Sequence, residues 1–171
     1  KISHFIVIGG CDGDALWRSY YTRLVQIAPP NVIFITFGCC KYRFLDFPME
    51  KVDGFPRILD AGQCNDLYGL LAALTAMAKT GECHVNQLPV TYFYSWYGQS
   101  AVTNFLTLMY FGIRHMFLGP QMPSFFSPEV CARFMIDDRV RVISTPEKDL
   151  EKAMGSVSGF QIIDQSAVKM V

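Results

Sequence analysis

The sequence predicts an α/β fold, in which a doubly wound, mostly parallel sheet carries helices on both faces of a Rossmann-like three-layer domain. Short, almost continuously apolar runs recur along the chain, and longer stretches with helical periodicity separate them. Strands buried on both faces are apolar throughout, whereas strands with one face in water alternate apolar and polar residues. With 171 residues and no linker or repeat, residues 1–171 are predicted to form a single domain.

Six strands and five helices are expected to alternate. The apolar runs place the strands at Phe5 to Ile8, Val32 to Phe37, Arg57 to Leu59, Val90 to Trp96, His115 to Leu118 and Val140 to Ile143. Periodicity places the helices at Ala15 to Ile27, Asp66 to Lys79, Gln99 to Phe111, Pro128 to Met135 and Pro146 to Met154. Residues 155–171 have weaker periodicity, with one candidate strand at Phe160 to Ile163, and their role is left open.

Three helix starts carry candidate capping residues. Ser127 and Thr145 are each followed by proline and glutamate, a pattern typical of an N-cap, a first helical position and an acidic first turn. Asn65 is expected to cap the helix that starts at Asp66.

The composition argues against several classes of partner. Apolar residues make up 51% of the chain, charged residues 18%, and the formal net charge is zero. A globular protein is therefore expected, without a basic surface for nucleic acid or an anionic membrane. No apolar run approaches the roughly 20 residues that span a bilayer. The opening residues read as a strand and not as a signal peptide, which favours a cytoplasmic protein. The missing initiator Met suggests a piece of a longer protein.

Six cysteines could in principle form three disulfides: Cys11, Cys39, Cys40, Cys64, Cys83 and Cys131. Disulfide frameworks belong mainly to short secreted domains with weak cores, and this chain has a strong core and no export signal. Reduced cysteines are therefore expected, and those at unusual positions are candidates for catalysis or metal binding.

Three of the cysteines follow predicted strands in glycine-containing turns. Cys11 lies in the run Gly9 to Gly13, and Cys39 and Cys64 each follow a glycine within two positions. Ligands of open α/β sheets collect outside the carboxyl ends of the strands, so three thiolates can meet there. Glycine leaves amide N–H groups free to point at an anionic sulfur. Soft thiolates favour iron–sulfur clusters, zinc or copper(I).

A lone cysteine at a strand end is usually a small buried hydrophobic residue, but its recurrence at three successive strand ends favours a shared site. The spacings contain no C-x-x-C pair, which argues against zinc ribbons and ferredoxin loops. The glycine-rich run also fits neither the dinucleotide nor the P-loop pattern. Structural roles are expected for Cys40, Cys83 and Cys131, for the isolated His4, His84 and His115, and for the turn residue Asp60.

Several motifs, taken in order, resemble one known family. They are Gly9 to Gly13, Arg18 to Thr22, Cys39 with Lys41 to Phe44, Asp60 to Asp66, Ser95 to Gln99, and Leu118 to Pro128. Together they closely resemble the C-terminal third of the hybrid cluster proteins, which are also called prismane proteins or hydroxylamine reductases. The resemblance covers Phe5 to Met154, which is most of the chain.

The resemblance implies a ligand set. The family holds an unusual hybrid iron–sulfur–oxygen cluster at a domain junction, on a fold related to the nickel–iron carbon monoxide dehydrogenases. Cys11 matches the cysteine that carries a persulfide in the oxidised state, and Cys39 and Cys64 match two further thiolate ligands. The remaining ligands of the family, one His, one Glu and one Cys, come from earlier sequence. So does a cysteine motif for a second, cubane-type cluster.

Two family positions are changed in this chain. The family carries a Glu ligand in the run Ser-Trp-Tyr-Glu-Gln, followed two residues later by Lys. Here these positions are Gly98 and Ser100. Glycine has no ligating atom, and serine is not a base of lysine's kind, so the family's chemistry is in question.

The resemblance therefore implies a cluster-binding domain of an iron–sulfur oxidoreductase. Its substrate would be a small nitrogen or oxygen species such as hydroxylamine, nitric oxide or peroxide. An electron-donor protein and the rest of the parent chain would be its partners, and the isolated segment is expected to be inactive and not to hold the cluster stably. The alternative is a cluster-free α/β module with a structural or interaction role.

Overall fold

The computed structural model describes residues 2–11, 19–96, 98–119, 123, 125–136 and 139–155. Their centre is a six-stranded sheet in which all neighbouring strands are parallel. The strands are β1 (His4–Cys11), β2 (Val32–Phe37), β3 (Ile58–Asp60), β4 (Val90–Trp96), β5 (Met116–Gly119) and β6 (Val140–Val142). Their order is β3-β2-β1-β4-β5-β6, so the chain winds outward from β1 in one direction and from β4 in the other. The predicted doubly wound fold is confirmed.

Helices connect the strands and follow the last of them. The α-helices are α1 (Tyr20–Ile27), α2 (Leu67–Thr80), α3 (Gln99–Tyr110), α4 (Pro128–Ile136) and α5 (Pro146–Gly155). Short 3-10 helices lie at Cys39–Arg43, Cys64–Asp66 and Val85–Gln87. Within the part of the chain that the structure describes, no helix combines the length and apolar character needed to cross a membrane.

The helices form a layer on each face of the sheet. On one face, Ile6 and Ile8 of β1 pack with Leu24 of α1 and Leu150 of α5. Val7 points to the other face, where it packs with the apolar sides of α2 and α3. Successive strand residues point to opposite faces, so a strand between two helix layers needs the unbroken apolar run that the sequence shows.

The largest boundary difference lies at the end of β1. The apolar run predicted a strand that ends at Ile8, but β1 continues to Cys11, which stands opposite Trp96 of β4. Pairing with β4 outweighs the low strand preference of the two intervening glycines. The first helix was expected to start at Ala15, which lies outside the described residues, and α1 begins at Tyr20. The other boundaries agree with the prediction to within one residue.

Two predicted helix caps are confirmed and one is wrong. The hydroxyl oxygens of Ser127 and Thr145 each accept a hydrogen bond from the backbone N–H three residues later, at 3.4 Å. Asn65 does not cap α2, because it lies inside the 3-10 helix Cys64–Asp66 that leads directly into α2. The candidate strand at Phe160 to Ile163 falls outside the described residues, and a single domain over residues 1–171 stays a prediction.

Candidate functional site

The three singled-out cysteines lie at the carboxyl edge of three adjacent strands. Cys11 is the last residue of β1, and Cys39 and Cys64 open the 3-10 helices that follow β2 and β3. Parallel strands bring their carboxyl ends to the same edge of the sheet. The fold therefore places the three residues on the side that the sequence indicated.

Gly38 brings the loops of the three cysteines into contact. Its φ of +81° and ψ of −170° belong to a region that is essentially restricted to glycine. A Cβ on Gly38 would lie 2.7 Å from the carbonyl oxygen of Gly10 and 3.0 Å from Sγ of Cys64. The backbone before Cys39 is thus packed between the end of β1 and the Cys64 sulfur, with no room for a side chain.

The end of β1 is fixed against β4. Gly10 has a φ of +98°, and a Cβ there would lie 1.7 Å from the carbonyl oxygen of Ser95. The hydroxyl of Ser95 donates a hydrogen bond of 2.7 Å to the carbonyl oxygen of Cys11. A glycine and a buried serine together hold the backbone that carries Cys11.

On balance, the surroundings of Cys64 disfavour its thiolate form. Burial raises the pKa of the Cys64 thiol, and the neighbouring Cys39 and Cys11 raise it further. The backbone N–H groups of Cys39 and of Cys64 itself favour the thiolate and act in the opposite direction on this pKa. A bound soft cation would replace the thiol proton and offset the repulsion between the thiolates.

An ion pair ties the loop of Cys39 to the loop of Cys64. Lys41 Nζ donates to both carboxylate oxygens of Asp60, at 2.7 and 2.8 Å, and to the carbonyl oxygen of Gly62 at 2.9 Å. The backbone N–H of Gly62 donates to Asp60 Oδ1 at 2.8 Å, which confirms that Asp60 orients the turn. On the other side, Asn104 of α3 donates its side-chain N–H to the carbonyl oxygen of Cys64.

The cysteines can be compared with the ligand requirements of a cluster and of a single metal ion. Among the described residues, no three Cys, His, Asp or Glu side chains converge closely enough to hold one. A structural zinc ion needs each sulfur about 2.3 Å away. An iron–sulfur cluster contains several metal ions, each with its own thiolate, and accepts more widely spaced sulfurs. The three cysteines offer soft thiolate donors, a set that suits an iron–sulfur cluster, zinc or copper(I).

The two departures from the family pattern lie at the start of α3. Gly98 is the N-cap of α3, with a φ of −109° and a ψ of 160° that any residue can adopt. A Cβ at Gly98 would meet no heavy atom of the described residues within 4 Å. Ser100 lies exposed in the first turn of α3. The backbone and the packing do not require glycine at position 98.

The other cysteines take no part in this arrangement. Cys40 is buried, and its Sγ lies 3.8 Å from the carbonyl oxygen of Phe37. Cys83 follows α2 and packs against the core under α2 and α3. Cys131 lies in α4. All six cysteines are free thiols.

The histidines lie at the opposite edge of the sheet. His4 is buried at the start of β1, with its Nε2 3.0 Å from Thr91 Oγ1, as predicted for a hydrogen-bonded core histidine. His84 and His115 line an open cavity of about 620 Å³ that Arg114 also lines. None of the three histidines is placed near the cysteine loops.

Sequence reasoning missed three residues that fix the cysteine loops, namely Lys41, Ser95 and Asn104. Lys41 and Ser95 lie within the motifs that carry the family resemblance, and this position in the motifs is a signal that could have pointed to them. Asn104 has no such signal, because its contact with Cys64 depends on how α3 packs beside the sheet.

A family model supplies the decisive comparison. The model of the Prismane/CO dehydrogenase family matches residues 1–151. The chain belongs to this family. The family resemblance that the motifs indicated is confirmed.

Curated relatives within the family are named hydroxylamine reductase. The one from Moorella thermoacetica is 41% identical over 155 residues, which cover 91% of this chain and 36% of the relative. The one from Maridesulfovibrio salexigens is 43% identical over 154 residues, which cover 90% of this chain and 29% of the relative. The chain thus spans about a third of the length of these relatives.

Solved structures with the same fold are carbon monoxide dehydrogenases. The enzyme from Thermococcus sp. AM4 has a TM-score of 0.71 and 18% identity, covering 91% of this chain and 28% of that one. Carbon monoxide dehydrogenase IV from Carboxydothermus hydrogenoformans has a TM-score of 0.69 and 17% identity, covering 91% and 30%. At this level of identity the likeness establishes the fold alone.

Proposed function

We propose that this chain is the cluster-binding domain of an iron–sulfur oxidoreductase, to which Cys11, Cys39 and Cys64 contribute thiolate ligands. The cluster would be the hybrid iron–sulfur–oxygen cluster that the resemblance to the hybrid cluster proteins implies. The substrate would be a small nitrogen or oxygen species, with hydroxylamine as the first candidate and nitric oxide and peroxide as others. The name of the curated relatives supports hydroxylamine.

The observation that carries this proposal is the packing around Gly38. Its backbone lies between Gly10, next to Cys11, and the sulfur of Cys64, and Cys39 follows it directly. A general α/β fold does not require three glycine–cysteine turns to meet at one edge. A ligand site shared by the three turns explains both the glycines and the cysteines.

The chain's own residues would bind and position the cluster. Cys11, Cys39 and Cys64 would donate thiolates, and their backbone N–H groups would stabilise the negative charge on sulfur. When bound, the cluster would supply electrons and an open iron position with Lewis-acid character. Helix α3, next to the Cys64 loop, offers neither a carboxylate at Gly98 nor a lysine at Ser100. Proton delivery would therefore differ from that of the family.

The proposal includes partners. The rest of a parent chain would supply the remaining ligands, because three thiolates leave the cluster incompletely held. An electron-donor protein would deliver the reducing equivalents, and a cytoplasmic location follows from the need to keep thiolates reduced. We infer that the segment alone has no turnover.

A second candidate is a cluster-free structural or interaction module. The observation that favours it is Gly98, which has no ligating atom where the family carries a glutamate. The two candidates differ in what the cysteines do, because a core cysteine tolerates serine far better than a metal ligand does.

The test is anaerobic reconstitution of the parent protein, followed by analysis of iron and acid-labile sulfide. Cys11→Ser, Cys39→Ser and Cys64→Ser are each expected to lower the iron content to half or less of that of the unchanged protein, because each removes one ligand. The control variants are Cys83→Ser and Cys131→Ser, which replace half-buried cysteines elsewhere and should leave the iron content unchanged.

Two outcomes would contradict the proposal. One is an unchanged protein that holds neither iron nor sulfide after reconstitution. The other is an equal iron content in the three site variants and the two controls. Either result would favour the cluster-free module.

A further inference from the structure

The Lys41–Asp60 pair is unusual for a charged pair in a surface loop. The side chain of Lys41 is only 7% exposed, whereas that of Asp60 is 39% exposed. All three oxygens that accept hydrogen bonds from Nζ belong to the turn between β3 and Cys64. A buried ammonium is costly unless every proton has an acceptor, and here all three have one.

The pair links the two cysteine loops directly. Lys41 lies two residues after Cys39 in the same 3-10 helix, and the acceptor Gly62 lies two residues before Cys64. A further hydrogen bond runs from Gly38 N to Gly62 O at 3.1 Å, between the same two loops. The positions of the Cys39 and Cys64 backbones are therefore coupled through the Lys41 side chain and one backbone hydrogen bond.

General stability does not explain the pair well. Buried ion pairs can often be replaced by apolar residues of similar volume without loss of stability, so a buried pair is weak evidence for a role in stability. Direct attraction to the thiolates does not explain it either. The carboxylate of Asp60 neutralises the ammonium, which it contacts through both oxygens at 2.7 and 2.8 Å.

We propose that Lys41 and Asp60 are positioning residues that hold the Cys39 and Cys64 thiols side by side before a metal arrives. This inference deepens the proposed function and rests on it. Metal affinity would then depend on a pair that does not touch the metal, as expected for residues that orient ligands from behind.

The test is a Cd²⁺ titration of the metal-free, reduced protein under anaerobic conditions, followed by the ultraviolet cadmium–thiolate absorption. Cd²⁺ binding measures whether the Cys39 and Cys64 thiols can bind one metal ion together, and it does not require that an iron–sulfur cluster can be assembled. Lys41→Met, which keeps length but removes the charge, is expected to weaken Cd²⁺ binding about tenfold or more. Lys41→Arg, which keeps a cation opposite Asp60, is expected to recover part of the loss.

Two controls separate positioning from stability. Arg23→Met removes an exposed ion pair with Glu147 and should change neither stability nor Cd²⁺ affinity. Tyr20→Phe removes a 2.6 Å hydrogen bond to buried Asp149, between α1 and α5. It should lower the free energy of unfolding and leave Cd²⁺ affinity unchanged.

If Lys41→Met does not fold, Asp60→Asn provides a second test of the same pair, because asparagine can still accept the turn hydrogen bond from Gly62 N–H. Weaker Cd²⁺ binding is again expected.

The outcomes distinguish the two proposals. If Lys41→Met or Asp60→Asn binds Cd²⁺ as tightly as the unchanged protein, the positioning role is wrong. The iron and sulfide analysis that tests the cluster is not affected by this result. Equal weakening in Tyr20→Phe would also overturn it, because stability alone would then explain the effect. If Cys64→Ser binds Cd²⁺ as tightly as the unchanged protein, the Cys64 thiol does not bind Cd²⁺ and the positioning role is wrong. The iron and sulfide analysis still tests the cluster separately.

Discussion

Among single residues, Gly98 has the clearest consequence for chemistry. The site keeps its three cysteines, their glycines and the Lys41–Asp60 pair, yet it has no carboxylate at the N-cap of α3. No atom of the described residues lies within 4 Å of the position where a Cβ would lie, so these residues leave room for a side chain at position 98. The side chain at position 98 can therefore be changed separately from the fold, and the two effects can be tested apart.

Gly98→Glu is expected to raise the iron retained by the reconstituted parent protein. A carboxylate at this position would restore the ligand type that the family carries there. The free energy of unfolding should change by no more than about 0.5 kcal/mol, because no neighbour has to move. Iron is measured after a fixed exposure to a chelator, and stability by urea denaturation.

Gly98→Gln is the matched control for this prediction. Glutamine has nearly the same shape but no charged oxygen, so it should retain no more iron than the unchanged protein. Equal retention in the two variants would mean that bulk, and not a ligand, accounts for the effect. A large loss of stability in either variant would contradict the open space seen around Gly98.

The loops after β2 and β3 act as a single unit with the end of β1. Gly38 touches both neighbouring loops, so its replacement disturbs all three cysteine positions at once. Gly38→Ala is expected to cost about 1–3 kcal/mol more than Gly54→Ala in urea denaturation. The two glycines share a positive φ, but a Cβ on Gly54 would meet nothing within 4 Å. Equal losses would show that Gly38 is needed for its backbone alone.

The elements also show what a sequence can and cannot predict. Apolar runs located all six strands, because a strand between two helix layers must be apolar on both faces. The extension of β1 through Cys11 was not predicted, because it depends on pairing with Trp96 of β4 and not on local preference. The sequence predicts a surface charge at Lys41, and its burial is acceptable only because Asp60 and Gly62, distant in the sequence, accept its hydrogen bonds. The cysteines could be located from strand ends, but the contacts that position them are non-local.

On the scale of the whole molecule, hydrogen bonds join α1 to α5. Tyr20 of α1 and both the backbone and the hydroxyl of Ser144 donate to the buried carboxylate of Asp149 in α5, at 2.6 to 2.7 Å. This network connects the two helices that cover one face of the sheet, α1 and α5. The two edges of the sheet have different roles: thiols collect at the carboxyl edge, and His4 lies buried at the amino edge.

His4 is expected to make the stability of the whole fold depend on pH. Burial, helped by the nearby His115, lowers the pKa of His4 from 6.5 to about 4. Between these values the unfolded chain binds the proton and the folded chain does not, so stability is complete above pH 6.5 and falls as the pH drops toward 4. Each pKa unit corresponds to about 1.4 kcal/mol, so the shift amounts to roughly 3 kcal/mol.

Urea denaturation at several pH values between 4 and 7 measures this dependence. His4→Gln keeps a polar group that can reach Thr91 but cannot take up a proton in this range, so its stability should change less with pH than that of the unchanged protein. His84→Gln, which replaces an exposed histidine, should keep the original dependence. The same pH dependence in His4→Gln and the unchanged protein would assign the effect to other groups. A reduced dependence would identify one buried imidazole, remote from the thiols, as a main cause of the loss of the fold in acid.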